Sequence, residues 1–328
     1  MRNIKPLNKL FIVLTLGAFL LSACDKPVDS SSNTDTSSEA TSTPSIETSS
    51  DTSGDTSSST SADTSSNTST NSSTSSSTSG GSGHYEMPSE YASYYSTLSS
   101  SPTSAQLRAV VSTHTKYSYS SLADVMTQTD RDWKLSPNAS DSNPYMRLIY
   151  ASYNFNASNA AKRSDYNTIW DKEHIWAKSH GNFDTGDLPG CDLHHLRASD
   201  KPNNNSWRNS RNFGNATGGT VGKDYRGLNS GIYSGDNLKG IYEPLLQDKG
   251  DVARACFYMA LVYPSNCTLV NSYPGTGNTL GHLSTLLQWH ELDPVDEFEM
   301  NRNNIIYNSY QRNRNPFIDH PEWADLLF

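Results

Sequence analysis

The chain of 328 residues is poor in cysteine and has no excess of positive charge. No two of its four cysteines form a Cys-x-x-Cys pair, so a structural zinc knuckle is not expected. The formal net charge is −9, whereas a protein that wraps non-specifically around nucleic acid carries net positive charge. These two absences leave an acidic protein with at most a local basic cleft.

The sequence also lacks an apolar run that spans a bilayer comfortably. Residues 10–21 are apolar except for Thr15, which is short of the roughly 20 residues that a membrane-spanning helix needs. A basic start precedes this run, and Leu-Ser-Ala-Cys at 21–24 follows it. This order predicts a lipoprotein signal peptide over residues 1–23. An uncleaved membrane anchor is the alternative.

The Leu-Ser-Ala-Cys ending resembles the bacterial lipobox. By that resemblance Cys24 becomes the mature N-terminus and carries lipid. The protein is then tethered to a membrane from outside the cytoplasm and is not embedded in it.

Large side chains are nearly absent from the next segment. Residues 25–83 are mostly Ser, Thr, Asp, Asn and Gly, and Val28 and Ile46 are their only aliphatic residues larger than alanine. Such a segment cannot bury enough apolar surface to offset the entropy of ordering it. We therefore predict a disordered Ser/Thr-rich linker over residues 24–83, with an end-to-end distance of roughly 40 Å.

The remaining residues, 84–328, are predicted to form one globular domain of mildly acidic charge. Its aromatic residues are numerous enough to build a core. Those singled out are Tyr85, Trp133, Trp170, Trp176, Trp207, Trp289 and Trp323. The domain has three cysteines, Cys191, Cys256 and Cys267. An odd number excludes full pairing within one chain, and we expect buried or incidental thiols.

Apolar spacing predicts more helix than strand, so the expected fold class is α+β with a mainly helical domain. Residues 251–263 and 283–290 have apolar positions three and four apart. Another helix is predicted to start at Asp293-Pro294, with Asp293 as its cap. Residues 104–112 and 143–153 are weaker helix candidates.

One region combines a short strand near Glu173-His174, a loop, a second strand at 191–196 and a helix from about residue 202. Ser199 or Asp200 is expected to cap that helix. This order of strand, loop, strand and helix places several polar side chains in one small unit.

The polar residues of segment 170–214 suit phosphodiester hydrolysis. Neutral histidine can take a proton from water, and His174 is next to Glu173, whose hard oxygens suit Mg²⁺ or Ca²⁺. An asparagine amide oxygen among residues 203–205 is a second, weaker ligand of the same type. Arginine is the fitting partner for a phosphate oxygen.

Other residues of this region allow two interpretations each. His194 and His195 could bind zinc, but neighbours on a strand point to opposite faces, so packing or orienting the site is favoured. Arg197 and Arg208 contact phosphate or lie on a solvated helix face. The tail at 311–315 is either a nucleic-acid patch or, as we favour, the tie between the C-terminus and the core.

Several segments, in the same order, carry a resemblance to one family. They are Trp170 with residues 172–174, residues 192–200, the Asn and Arg run at 203–212, residues 242–244, residues 249–254, Trp289-His290, residues 293–295, and the tail at 311–322. Together they cover roughly residues 90–325. The chain resembles the endonuclease I family of secreted and periplasmic bacterial nucleases.

The resemblance implies a ββα-metal (His-Me finger) active site. By it, His174 activates water and Glu173 binds one divalent ion, Mg²⁺ or alternatively Ca²⁺ or Mn²⁺. Arg197 or Arg208 assists at the phosphate. The imidazole and the ion must then face the same ester.

A helix asparagine is the other implied metal ligand, and two positions compete for it. The family's spacing of three residues before an arginine selects Asn205, whereas counting forward from Asp192 selects Asn204. An insertion in the loop disturbs the helix less than one inside it, which favours Asn205. Ser210 departs from the family's pattern, where a second asparagine often stands.

The sequence thus predicts a monomeric, lipid-anchored or secreted nuclease that cleaves DNA, RNA or both with little sequence specificity. The main alternative is a non-catalytic surface lipoprotein that binds nucleic acid or another ligand. A second alternative is a metal-dependent phosphodiesterase that acts on small or lipid phosphates. Cleavage of DNA that depends on a divalent ion would distinguish the nuclease from both alternatives.

Overall fold

The computed structural model describes residues 86–153 and 156–328, which belong to the unit Ser76–Phe328. The predictions of a signal peptide, of lipid at Cys24 and of a disordered linker fall on residues outside this part of the chain, as does Tyr85. Among the described residues, no helix is long and apolar enough to cross a membrane.

Helices contribute more of the described residues than strands do, and the fold is α+β. The α-helices are α1 (Ser104–Val111), α2 (Leu122–Thr129), α3 (Leu246–Val262), α4 (Leu283–Leu292), α5 (Glu297–Ile305), α6 (Pro316–Asp319) and α7 (Trp323–Leu327). Two π-helical turns span Asn203–Arg208 and Ile306–Tyr310. The 3₁₀ turns are Ser89–Tyr95, Tyr119–Ser121, Arg163–Asp165, Lys178–His180 and Pro189–Cys191.

The prediction for 104–112 is confirmed by α1. Its start is fixed by a capping box: the Thr103 hydroxyl accepts the Gln106 N–H at 3.3 Å, and Gln106 Oε1 accepts the Thr103 N–H at 3.0 Å. These bonds satisfy N–H groups that the first helical turn leaves without partners.

The central helix α3 confirms the prediction for 251–263 but begins earlier, at Leu246. It is buried on nearly all sides rather than amphipathic. Its polar residues are satisfied inside the core: Asp248 accepts the Tyr150 N–H at 3.0 Å, and Arg254 donates to Glu299 Oε1 at 2.8 Å. The apolar spacing predicted that the polar face of this helix would be exposed to solvent. That face is buried instead, because other parts of the domain supply hydrogen-bond partners for its polar side chains.

Helix α4 confirms the prediction for 283–290, but the predicted cap of the next helix is wrong. Helix α5 begins after Asp296, whose carboxylate accepts the Glu299 N–H at 2.9 Å. The Asp293 carboxylate instead accepts the Gly250 N–H at 2.8 Å and so links the end of α4 to α3.

The predicted helix at 143–153 is also wrong, because this segment is extended. Single β-bridges join Tyr145 to Lys162 and Ile149 to Ser199. The Ile149 N–H donates to Ala198 O at 2.9 Å. The backbone N–H and C=O groups of this segment therefore bond neighbouring segments instead of each other, as they would in a helix.

Three small sheets occur in the described residues. Strands β1 (Trp170–His174) and β2 (Leu196–Asp200) pair antiparallel, with Glu173 opposite Arg197. Four strands follow the order β3-β6-β5-β4, where β3 is Asn212–Phe213, β4 Thr220–Lys223, β5 Asn229–Ser234 and β6 Ile241–Glu243. Strands β7 (Thr268–Val270) and β8 (Thr279–Gly281) pair in parallel.

The strand predicted at 191–196 lies further along the chain, since β2 begins only at Leu196. Asp192 explains the delay. Its backbone carbonyl accepts the Leu196 N–H at 3.1 Å and its carboxylate accepts the His194 N–H at 2.9 Å, which closes a turn. The helical segment after β2 is capped by Asp200, whose Oδ1 accepts the Asn203 N–H at 2.9 Å.

The C-terminal tail is tied to the core, as predicted. Gln311 Nε2 donates to Asp192 Oδ1 at 3.0 Å, and Asn313 Nδ2 donates to Val111 O at 2.9 Å. Arg314 is buried and pairs with Asp319 at 2.6 Å. Four of the five side chains in this tail therefore replace water around internal groups, whereas Arg312 is exposed.

The predicted aromatic core is present. Trp170, Trp176, Trp289 and Trp323 are buried, whereas Trp133 and Trp207 are half-buried. Cys191, Cys256 and Cys267 are free and buried, as expected. Burial raises the pKa of the Cys256 and Cys267 thiols, which keeps them in the unreactive protonated form.

We predict that His194→Gln changes how stability depends on pH. Burial lowers the pKa of His194 to about 4, against an ordinary value of about 6.5, although Asp192 opposes the shift. Between these values the unfolded chain binds the extra proton, so the wild-type protein loses stability as pH falls. The stability difference between wild type and variant, measured by urea unfolding, should shrink by about 2 kcal/mol between pH 7 and pH 5.

Comparing the two proteins at each pH cancels titrations that they share. A difference that stays constant from pH 7 to pH 5 contradicts a neutral, buried His194.

Candidate functional site

The two adjacent residues Glu173 and His174 end strand β1 and face opposite sides of it. Glu173 contacts Tyr150 and Arg208, whereas His174 contacts Tyr119 and Gly190. The alternation of side chains along a strand causes this separation. Glu173 is 4% exposed and His174 is 8% exposed, so only the edge of each side chain reaches solvent.

The ring of His174 is held in one orientation. Its Nε2 lies 3.0 Å from Gly190 O, and because a carbonyl only accepts, Nε2 carries the hydrogen. The neutral ring then has its lone pair on Nδ1. The Tyr119 ring stacks on the imidazole with centroids 5.6 Å apart and planes at 6°. Lys172, whose ammonium lies 3.7 Å from the centre of the Tyr119 ring, holds Tyr119 in turn.

Burial keeps His174 uncharged. It lowers the pKa of His174 to about 3, and the nearby His195 adds to the shift. At neutral pH the imidazole is therefore available to accept a proton. The same low pKa makes it a weaker base than an exposed histidine.

The 3₁₀ turn Pro189–Cys191 positions two imidazoles. Its Pro189 carbonyl lies 2.7 Å from His195 Nε2, and its Gly190 carbonyl holds His174. The two rings are 5.5 Å apart. A side chain at Gly190 would lie 1.9 Å from Asp184 O, so only glycine fits.

The carboxylate of Glu173 lies in a nearly closed polar pocket. Its Oε1 accepts the Tyr150 hydroxyl at 3.1 Å and lies 3.7 Å from Arg208 Nε. The second distance is too long for a hydrogen bond, and Arg208 Nε has no partner among the described residues. Burial raises the pKa of Glu173 to about 8, although Arg208 and Tyr150 oppose the shift.

The asparagines of the Asn203–Arg208 helix fall into two groups. Asn203 is buried and contacts Asp200, Ser230 and Tyr242. Asn204 and Asn205 instead donate their amide N–H groups to the carboxylate of Asp171, at 2.5 and 3.2 Å.

Asp171 lies two residues before Glu173 and so on the same face of β1. The side-chain oxygens of Asn204 and Asn205 make no hydrogen bond within the described residues. Both asparagines therefore face the Glu173 side of the strand, and neither contacts His174. The choice between them stays open.

Neither predicted phosphate-binding arginine presents its guanidinium to solvent. Arg197 is buried and donates to Asp130 at 2.9 Å and to Asp251 at 2.8 Å. Arg208 is buried too, donates to Ile175 O at 2.9 Å, and lies over the Phe213 ring. The guanidinium N–H groups that were predicted to bind phosphate thus donate to carboxylates and carbonyls inside the domain.

The two neighbouring histidines have different hydrogen-bond partners. His194 Nε2 lies 3.2 Å from Asn313 O, and His195 Nε2 bonds the Pro189 carbonyl on another side. In residues 86–153 and 156–328, no three His, Cys, Asp or Glu side chains converge as metal ligands.

The donor set on the Glu173 face suits a hard cation. It consists of the carboxylates of Glu173 and Asp171 and the amide oxygens of Asn204 and Asn205. Carboxylate and amide oxygens are the ligands of Mg²⁺ and Ca²⁺, and Mg²⁺ usually keeps several waters besides its protein ligands. The chemistry of these residues fits such an ion.

Sequence reasoning missed the supporting residues Tyr119, Tyr150 and Asp171. Asp171 could have been found, because a residue two positions before Glu173 shares its strand face. Tyr119 and Tyr150 belong to segments well before β1 in the sequence, and no sequence pattern predicts that they contact it.

Known proteins similar to this chain are nucleases. A family model described as Endonuclease I matches residues 99–322. An extracellular ribonuclease of Bacillus amyloliquefaciens is 40% identical over 230 residues, which cover 68% of this chain and 72% of that protein. An extracellular ribonuclease of Bacillus subtilis is 40% identical over 232 residues, with the same coverage.

We predict that Arg208→Lys destabilises the fold even without substrate. The single ammonium nitrogen of lysine cannot replace the two guanidinium nitrogens that bond the carbonyls of Ile175, Asn209 and Arg211. The loss should be about 3 kcal/mol in urea unfolding. The same change at the exposed Arg312 is the control and should cost under about 0.5 kcal/mol. Equal stability of both variants would contradict a structural role for Arg208.

Proposed function

The chain belongs to the endonuclease I family, and from that premise we propose that it is an exported endonuclease that hydrolyses phosphodiester bonds with His174 as general base and one divalent ion. The observation that carries the proposal is the bond between His174 Nε2 and the Gly190 carbonyl. It fixes the tautomer that leaves Nδ1 ready to accept a proton from water.

The arrangement around β1 supports a ββα-metal site. Strands β1 and β2 are joined by the loop that carries Gly190, and the Asn203–Arg208 helix follows β2. Glu173 and His174 flank the end of β1 on opposite sides. An in-line displacement at phosphorus needs assistance on the attacking side and on the leaving side. The proposal therefore places the ester beyond the end of β1, where these adjacent residues act on it from the two sides.

In this proposal Glu173 holds the ion together with Asn205 or Asn204, and Asp171 orients both amides through its carboxylate. The ion, when bound, supplies charge stabilisation at the phosphate and at the departing oxygen. Mg²⁺ is the favoured ion, with Ca²⁺ or Mn²⁺ as alternatives.

The arginines have a smaller part in the proposed mechanism than the sequence suggested. Arg208 lies near Glu173, and its positive charge opposes the rise that burial causes in the pKa of that carboxyl group. Arg197 holds β2 to α3 through Asp251. Both are positioning residues here, and neither is assigned a contact with phosphate.

The proposed substrate is nucleic acid, DNA and/or RNA, with little sequence specificity. The residues assigned above act on the phosphodiester, which DNA and RNA share. The two relatives named extracellular ribonuclease support RNA as one substrate and an extracytoplasmic location. The protein is proposed to act as a monomer.

The proposed location is outside the cytoplasm, with lipid at Cys24 and a Ser/Thr-rich linker before the catalytic domain. The support is the order of basic start, apolar run and Leu-Ser-Ala-Cys in the sequence. A non-catalytic surface lipoprotein shares that order, but the fixed tautomer of His174 and the hard oxygen donors beside it favour an enzyme.

Two variants should separate the base from the metal ligand. His174→Ala should reduce cleavage of plasmid DNA and of RNA by at least about a hundredfold, because general-base catalysis contributes that much or more. It should leave binding of Mn²⁺ unchanged. Glu173→Gln should weaken Mn²⁺ binding as well as activity, because an amide replaces a charged ligand.

Both variants need thermal unfolding curves beside the assays, since each residue is nearly buried. Tyr117→Phe, which alters the half-buried ring next to Tyr310, is the control for the assay and should keep full activity. Cleavage by folded His174→Ala at the wild-type rate rules out His174 as the base. Cleavage by the wild-type protein in excess chelator rules out the metal.

Cys24→Ala should release the protein from the membrane of a bacterial host that exports it. The thiol is the proposed attachment point, and its loss removes the lipid that holds the chain. Cell fractionation and the mass of the N-terminal peptide measure the outcome. A wild-type protein whose mature N-terminus carries no acyl chain contradicts the anchor without affecting the nuclease proposal.

A further inference from the structure

A cavity of about 510 Å³ lies on a part of the domain that the proposed catalytic residues do not reach. Its walls come from the segment after α2, from the extended segment before β1 and from the start of α5. The residues that carry the following argument are Trp133, Lys134, Arg147, Tyr153, Asp296 and Phe298. A volume between about 300 and 1,000 Å³ is typical of sites for small organic ligands.

Aromatic rings line this cavity, and guanidinium groups hold them in place. The Arg147 guanidinium lies 4.2 Å from the ring centres of both Tyr153 and Phe298. Arg197 lies 5.2 Å from Phe298, and Arg131 lies 4.8 Å from the Trp133 ring. Fixed rings of this type provide flat faces on which a planar ligand stacks at little cost in side-chain entropy.

Two residues of the lining carry donors without acceptors. Trp133 Nε1 and Arg147 Nε are buried and have no hydrogen-bond partner among the described residues. A buried N–H without a partner costs about 1–3 kcal/mol. Water does not reach either atom, so a small rotation of each side chain has to turn its N–H toward a carbonyl oxygen or ring nitrogen of a ligand, and the bond then formed removes that cost.

The charges around the cavity disfavour a free phosphate. Arg147 is paired with Asp296 at 3.1 Å, and Lys134, Asp132 and Glu297 also line the cavity. Two cations and three carboxylates leave the lining with a net negative charge. The lining therefore suits a neutral ring with acceptor atoms rather than an anion.

A short chain of hydrogen bonds connects this cavity to the Glu173 pocket. The Tyr153 hydroxyl donates to Asp248 Oδ1 at 2.7 Å, and Asp248 Oδ2 accepts the Tyr150 N–H at 3.0 Å. The Tyr150 hydroxyl then bonds Glu173. The two regions therefore share supporting residues.

We propose that this cavity binds a neutral nucleobase, stacked on the Trp133 and Phe298 rings and bonded through its acceptors to Trp133 Nε1 and Arg147 Nε. The identification of the ring as a nucleobase rests on the proposed nuclease function, whereas the existence of a site for a planar neutral ligand rests on the cavity alone. A base of a single strand and a free nucleoside present the same chemistry here.

The test uses the indole N–H signals of the full-length protein labelled with ¹⁵N-tryptophan, of which the chain has six. Trp133→Phe keeps a ring and removes the N–H, so the signal that disappears identifies Trp133. With excess chelator present, adenosine and uridine should shift that signal, as should a short single-stranded oligonucleotide with a phosphorothioate backbone. Ribose 5-phosphate, which lacks the base, should not.

Two further variants test the contacts. Phe298→Leu keeps an apolar side chain without a ring, and Arg147→Lys keeps the charge opposite Asp296 without Nε. Each should weaken nucleoside binding roughly tenfold, since stacking and a single hydrogen bond contribute at this level. Trp323→Phe removes an indole N–H that donates to Ser100 O elsewhere and should leave binding unchanged.

The outcomes separate the two proposals. A Trp133 shift with oligonucleotide alone identifies the base of a strand as the ligand, and a shift with nucleosides alone identifies the free product; either supports the site. No shift with any of these ligands at millimolar concentration overturns it, as does equal binding by Phe298→Leu and Arg147→Lys. Cleavage of RNA and DNA by the wild-type protein, measured separately, decides the nuclease function whatever the titrations show.

Discussion

The structure around the site depends on one buried carboxylate, Asp192. It accepts the hydroxyls of Tyr258 at 2.8 Å and Tyr263 at 2.7 Å, both on or next to α3, and it lies 3.4 Å from His114 Nε2. Burial alone would raise its pKa, but His114, His194 and its hydrogen bonds lower that pKa well below the usual range. A charged Asp192 thereby joins the central helix and the C-terminal tail to the turn that leads into β2. This turn carries His194 and His195, so Asp192 fixes where their imidazoles lie.

The second constraint is the number of charged side chains inside the domain. Arg197 lies between Asp130 and Asp251, Arg254 bonds Glu299, and Arg314 bonds Asp319. Removing one member of such a pair leaves a buried charge without compensation, which is strongly destabilising. This explains how arginines in segments that resemble a nuclease family can be essential to the fold without contacting a substrate.

Much of the fold followed from local signals. Helices α1, α3 and α4, the strand at Glu173-His174 and the helix after Asp200 were predicted from apolar spacing and caps, which act within a few residues. The errors arose where a distant partner changed the local choice. Residues 143–153 became extended because strand β2 took up their backbone groups, and Asp293 lost its capping role to Asp296 because Gly250 occupied it.

The sequence by itself determined which chemical groups are present: an imidazole next to a carboxylate, asparagines after a second strand, and the family to which their order belongs. Tertiary structure alone decided that Asp171 holds Asn204 and Asn205, that Tyr119 and the Gly190 carbonyl fix the ring of His174, and that Arg197 and Arg208 are internal. The physical reason is that residue types and short-range spacing are written along the chain, whereas burial and the partner of each donor depend on segments that meet only when the chain folds.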